Sequence, residues 1–168
     1  KSRVAWAAAL GAATGAAMLA KGLAGPLLIG MIVTGYVLTS GAWRRLRVVD
    51  VAAASVAAAL VAAIWYVPVI AVNGWPFVQE FFVDHHFRRF LTNRFAHPQP
   101  VYFFVLIILG GLLPWTFVFL SGLRGLAGLL RRQPQSDDAR LVWLAAWSVA
   151  VPLVFFSLST SKLPGYIL

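Results

Sequence analysis

The sequence predicts an all-α, polytopic membrane protein, and three observations predict it. Of the 168 residues, 61% are hydrophobic and only 11% are charged, less than half the charge of an ordinary soluble domain. The apolar residues come in runs close to the ~20 residues that cross a hydrocarbon core. The charges gather between those runs, where basic loops set membrane orientation.

Taken in order, Val4 to Ala20 and Gly22 to Ser40 are the first two spans, and "AKGLAGP" between them is a tight turn in which Gly and Pro interrupt the helix. Val51 to Val72 is the third span, Val101 to Ser121 the fourth and Leu141 to Leu158 the fifth, with a sixth beginning at Leu163. Runs such as "WAAALGAATGAAMLA" and "VAAASVAAALVAA" are rich in small residues, which let helices approach closely, and Gly11 with Gly15 forms a GxxxG. The chain starts without Met and stops inside the apolar "KLPGYIL", so it is expected to be part of a longer protein. Lys1 to Arg3 before an apolar run imitates a signal peptide, but the further spans argue against one.

Alternating the spans places Lys1, Arg3, Arg44, Arg45, Arg47, Arg124, Arg131, Arg132 and Arg140 on one side, and Lys21, Arg88, Arg89, Arg94 and Lys162 on the other. The richer side is expected to be cytoplasmic. The net charge of +9 is thereby assigned to topology, and nucleic acid is not expected as a partner. With no cysteine in the chain, disulfides and thiolate metal sites are excluded.

The outer face concentrates its charge in the connection 73–100, which is longer than a turn requires and is expected to lie along the membrane interface. Through "FFVDHHFRRF" and the following Leu91, helical spacing puts Val83, Phe87, Phe90 and Leu91 on one face, with Asp84, His85 and Arg88 away from it. His86, Arg89 and Asn93 follow one flank of the apolar stripe, and Glu80, Asp84 and Arg88 the other. Arg88 and Arg94 suit lipid headgroups or pairing with Glu80 and Asp84, and His85 suits solvent. His86 and Arg89 border the apolar face, where desolvation sharpens recognition of a phosphate or a metal. One histidine is not a metal site, so a further ligand has to come from elsewhere. His97 belongs to the Pro-flanked entry to the next span.

Lys21 and Lys162 stand at the outer ends of spans, each beside Gly or Pro. Two readings stay open for them: snorkelling to the interface, or holding an anionic headgroup against broken helix ends. Tyr166 follows Lys162 by one helical turn and could add a hydroxyl to the same place.

The "AKG" turn, "FFVDHHFRRF" leading through "HPQPVYFF" into "LLPWTF", and the terminal "FFSLSTSKLPGYIL" together resemble bacterial membrane glycosyltransferases of the dolichyl-phosphate-mannose protein mannosyltransferase type. Within that group they are most similar to the 4-amino-4-deoxy-L-arabinose transferases of lipid A. The resemblance runs from Lys21 to Leu168, and "SKLPGYIL" is its most specific part. It implies a GT-C enzyme of the bacterial inner membrane. Such an enzyme takes a sugar from a polyprenyl phosphate carrier at the periplasmic face and passes it, with inversion, to an envelope acceptor such as lipid A.

By the same resemblance Lys21, Arg89, Lys162 and Tyr166 match positions that bind the carrier phosphate. His86 matches a ligand of a divalent metal such as zinc, completed by a carboxylate outside this sequence, with His85 as the alternative one residue away. The acidic catalytic motif of the family is absent from the chain, so no catalytic residue is assigned. A protein O-mannosyltransferase is the nearest rival. A transporter would carry ionisable groups inside its spans, where this sequence has almost none; a membrane scaffold would tolerate loss of Lys162 or Arg89.

Overall fold

The computed structural model describes residues 2–81, 99–130, 136–159, 162 and 165. Their α-helices are α1 (Ser2–Lys21), α2 (Ala24–Thr39), α3 (Val48–Val78), α4 (Phe103–Gly111), α5 (Thr116–Leu130) and α6 (Asp137–Leu158), with a 3-10 turn at Ala42–Arg45. The described residues contain no strand. By length and composition Ser2–Lys21, Val48–Phe81 and Asp137–Leu158 can each cross a membrane, and the bent pair α4–α5 adds a fourth crossing if it is one span. Trp6, Ile64 and Phe117 are among many large apolar side chains left exposed, which suits a protein whose solvent is lipid. The chain divides into two compact units: Lys1–Met31 with Trp43–Arg89, and Ile32–Ala42 with Phe90–Leu168.

In the first unit α1 packs against α3 backbone to backbone. A Cβ on Gly11 would sit 2.0 Å from the Ala54 carbonyl oxygen, and one on Gly15 2.6 Å from that of Ala58. The GxxxG is thus met by alanines at the same spacing on α3, inside the chain. Close approach multiplies dispersion contacts, the chief attraction between helices where lipid is as apolar as leucine. At one end of this pair Arg3 Nε lies 2.7 Å from Asp50 Oδ2, and the same guanidinium donates to the Arg45 carbonyl. Asp50 is buried in the first turn of α3, where the helix dipole favours a carboxylate. Arg3, read from sequence as an orientation signal, therefore also holds α1 to the start of α3.

The "AKGLAGP" turn is as expected a tight one, and its cause is Gly22. At φ 63° it ends α1, its N–H donating to the Met18 carbonyl at 2.8 Å, a left-handed cap that glycine adopts without Cβ strain. Because Gly22 and Leu23 form this turn, α2 begins only at Ala24, where the sequence had suggested Gly22. At 16 residues α2 is ~24 Å long, short of a ~30 Å core. Pro26 lies in its first turn, where no intrahelical partner is required of its missing N–H.

Helix α3 starts three residues before the expected Val51 and breaks at Gly74 (φ 65°, ψ −157°), two residues past the expected end at Val72. The helical path resumes through Pro76 and runs to Phe81. Phe81 stacks on Phe77 with ring centroids 5.3 Å apart and meets the Tyr66 ring at 5.8 Å. A straight helix would separate residues 66 and 81 by ~22 Å, so the chain folds back at Gly74. The expected interfacial connection 73–100 therefore begins at a real break, and its portion 82–98 lies outside the described residues.

In the second unit the expected uninterrupted span 101–121 is a broken one: α4 and α5 meet at a 119° bend across residues 112–115. Pro114 has no N–H to give and its ring excludes a continuing helix. The Leu113 N–H turns to Gly110 instead of Leu109, and the freed Leu109 carbonyl accepts from the buried Thr116 hydroxyl at 2.6 Å. Every polar group at the break thus named finds a partner, as a membrane requires. Helix α6 starts four residues before the expected Leu141 because Ser136 caps it, its hydroxyl accepting from the Ala139 N–H at 3.2 Å, with Asp137 and Asp138 in the first turn. Trp147 of α6 lies flat against Gly35, where a Cβ would come within 2.6 Å of its ring, and donates to the Thr39 hydroxyl at 2.9 Å. Phe104, fully buried, packs edge-on to Phe156.

Candidate functional site

Lys162 follows the end of α6 and is only 5% exposed. Its ammonium donates to the Ser159 carbonyl at 2.7 Å and to the Gln99 carbonyl at 2.9 Å. Ser159 is the C-cap of α6, so the first bond places a cation at the negative end of the helix dipole. The second ties that end to the chain just before Pro100. An ammonium has three donors, which leaves one N–H beyond these two carbonyls. Among the described residues no carboxylate pairs with it; the ion pairs found there are Arg3–Asp50 and Arg140–Asp137. The arrangement is a buried ammonium held in place by dipoles and, among the described residues, without a counter-charge, which is what an anion-binding group requires.

Lys21 closes α1 and is exposed. The Gly22 cap fixes its backbone. The Met18 carbonyl that receives the Gly22 N–H also accepts from the Tyr66 hydroxyl at 3.1 Å, so the turn is held from α3 as well. Lys21 belongs to the first unit and Lys162 to the second, and each is positioned by its own neighbours. Arg89, Tyr166, His86 and the alternative His85 lie outside the described residues.

No group of three His, Cys, Asp or Glu side chains able to hold a metal occurs among the described residues. The described part of the chain thus offers no donor set for the expected divalent metal. A groove of about 500 Å³ is lined by Phe119, Leu123, Leu126 and Val142, among others, with no charged side chain among the described lining residues.

Sequence reasoning missed the parts played by Tyr66, Ser159 and Gln99. Tyr66 had a signal, a hydroxyl within an apolar run that must find a partner. Ser159 and Gln99 act through backbone carbonyls, which every residue possesses, and no residue type announces them.

Comparison with known proteins decides the family. The chain is 38% identical over 161 residues, 95% of its length, to the undecaprenyl phosphate-alpha-4-amino-4-deoxy-L-arabinose arabinosyl transferase of Pseudomonas aeruginosa strain UCBPP-PA14. It is 33% identical over 175 residues to arabinosyl transferase 1 of Pseudomonas fluorescens strain Pf0-1. The crystal structure of ArnT from Cupriavidus metallidurans bound to undecaprenyl phosphate superposes with a TM-score of 0.77 at 34% identity, covering 97% of this chain. The chain belongs to this arabinosyl transferase family. It spans 27% to 28% of the length of these relatives, and the likeness in fold makes it a bacterial membrane protein of the same helical architecture. No protein-family profile matches the chain.

Proposed function

We propose that the chain supplies carrier-phosphate contacts of an inverting glycosyltransferase at the periplasmic face of the bacterial inner membrane. The enzyme moves a sugar from polyprenyl phosphate to an envelope acceptor such as lipid A. The observation that carries this reading is Lys162: an ammonium at 5% exposure, held by two carbonyls, with no carboxylate beside it among the described residues. The family relation supports it, since the Cupriavidus relative is a complex with undecaprenyl phosphate.

In the reaction the bond between the anomeric carbon and the carrier phosphate oxygen breaks, and the phosphate leaves with the electron pair. An acceptor oxygen bonds to the anomeric carbon from the opposite face and gives up its proton to a base outside this chain. Negative charge grows on the phosphate as it departs. A cation already oriented in a water-poor site stabilises that charge without reorganising. Lys162 is suited to this by its two fixed bonds, and the family resemblance supports Lys21, Arg89 and Tyr166 as further carrier-phosphate contacts. A divalent metal with His86, or His85, as one ligand belongs to the same proposal. It is tested by the metal content of His86→Ala and His85→Ala proteins, and no step above depends on it.

The test compares the complete protein with Lys162→Met and Lys162→Arg for transfer from undecaprenyl-phosphate-linked 4-amino-4-deoxy-L-arabinose to lipid A. Methionine keeps the apolar stem while removing the charge, and transfer should fall about 100-fold or more, the usual cost of deleting one preorganised donor. Transfer by Lys162→Met equal to that of the unaltered protein, with both equally folded, would sink the assignment.

A further inference from the structure

We propose that Tyr66 is a positioning residue that joins the Lys21 turn to the folded-back segment 75–81, through Phe81. The proposal rests on the reading of Lys21 as a carrier-phosphate contact. Tyr66 is 6% exposed in the middle of an apolar helix, where its hydroxyl must be bonded or costly. It donates to the Met18 carbonyl at 3.1 Å, the same oxygen that caps α1 through the Gly22 N–H at 2.8 Å. Both acceptor positions of that carbonyl are thus taken, one by the turn and one by α3, and Lys21 stands one helical turn after it. The other end of the tie is the ring. Phe81 meets it at 5.8 Å with the planes tilted by 54°, and Phe81 is itself stacked on Phe77. That contact exists only because Gly74 reverses the chain.

One side chain therefore fixes the lysine turn with its polar tip and the returning segment with its apolar body. Tyrosine combines the two. Phenylalanine would keep the ring contact alone, and leucine would keep neither. A hydroxyl that merely satisfied itself within the span would predict no link to Lys21, and that difference is measurable.

The complete protein is placed in lipid nanodiscs, and binding of undecaprenyl phosphate is compared with binding of undecaprenol, which shares the chain but lacks the phosphate. Tyr66→Phe should weaken phosphate binding about fivefold, the worth of one net hydrogen bond, and leave undecaprenol binding unchanged, with the thermal midpoint lowered only by the loss of that one bond. In a Lys21→Ala background the same substitution should produce no further loss. Phe81→Leu should add to the effect of Tyr66→Phe but not to that of Tyr66→Leu, which has already lost the ring contact. The proposal is overturned if Tyr66→Phe weakens both ligands alike, if its effect persists without Lys21, or if phosphate binding is unaltered while Lys21→Ala reduces it. Loss of phosphate preference in Lys21→Ala alone would uphold the lysine reading and leave Tyr66 refuted. No preference for the phosphate in the unaltered protein, or none lost in Lys21→Ala, would refute the lysine reading and Tyr66 with it.

Discussion

Replacing Gly11 by alanine tests the α1–α3 contact directly. The added Cβ would lie 2.0 Å from the Ala54 carbonyl oxygen and 2.7 Å from its Cα, whereas ordinary contact begins at 3.4 Å. The obstacle is backbone, so no rotamer change relieves it, and the helices must part by about 1.4 Å at this level. Overpacking of this kind costs about 1–3 kcal/mol. A similar movement at the far end of the pair would carry the Tyr66 hydroxyl beyond bonding distance of Met18, from which it now lies 3.1 Å, adding about 1 kcal/mol. The assay is thermal or denaturant unfolding of the complete protein in detergent micelles, with Gly30→Ala of α2 as control. A Cβ at Gly30 meets nothing within 4 Å, and alanine there gains helix propensity of up to ~1 kcal/mol. Both alanines gain that propensity, so Gly11→Ala should be the less stable of the two by about 2–4 kcal/mol. Equal stability of the two variants would show that α1 and α3 do not touch at Gly11, and the packing argument would fail.

Two further substitutions probe the helix ends. Thr116→Val removes the donor to the Leu109 carbonyl at the α4–α5 break and should cost about 1–3 kcal/mol by leaving that oxygen unpaired; an unfolding midpoint equal to the parent's would contradict the accounting at the break. Arg3→Met and Asp50→Asn, alone and together, should show a positive coupling of about 0.5–3 kcal/mol in a double-mutant cycle. Arg3→Met alone should be the worst of the three, because it strands a buried carboxylate, and a coupling near zero would mean that the pair does not hold α1 to α3.

Much of this was legible from residue types alone. Long apolar runs announced helices, and the glycine of "AKG" announced the turn, since few residues other than glycine sit comfortably at φ 63°. Asn73 and Gly74 marked the end of the third apolar run within two residues of the break. The bend at 112–115 was less legible. "GGLLPWTF" remains apolar throughout, so hydropathy reads across it, and the interruption comes from a missing N–H and a hydroxyl that takes up the freed carbonyl. The helix starts were misjudged where polar residues belong to the helix: Asp137 to Arg140 are not apolar, yet the Ser136 cap and the helix dipole recruit them.

The sequence by itself determined that this is an all-helical membrane protein, which lysines stand at helix ends, and which family it belongs to, because hydropathy, helix-breaking residues and the "SKLPGYIL" motif are local properties. Only the tertiary structure decided what holds the Lys162 ammonium and what holds the turn beside Lys21. Lys162 lost its freedom to snorkel once the Gln99 and Ser159 carbonyls converged on it, and the Lys21 turn acquired a tether when Gly11 and Gly15 let α3 come close enough for Tyr66 to reach Met18. Both outcomes depend on backbone atoms meeting across long stretches of chain. Backbone carbonyls are the same at every residue, so their convergence leaves no mark in the order of side chains.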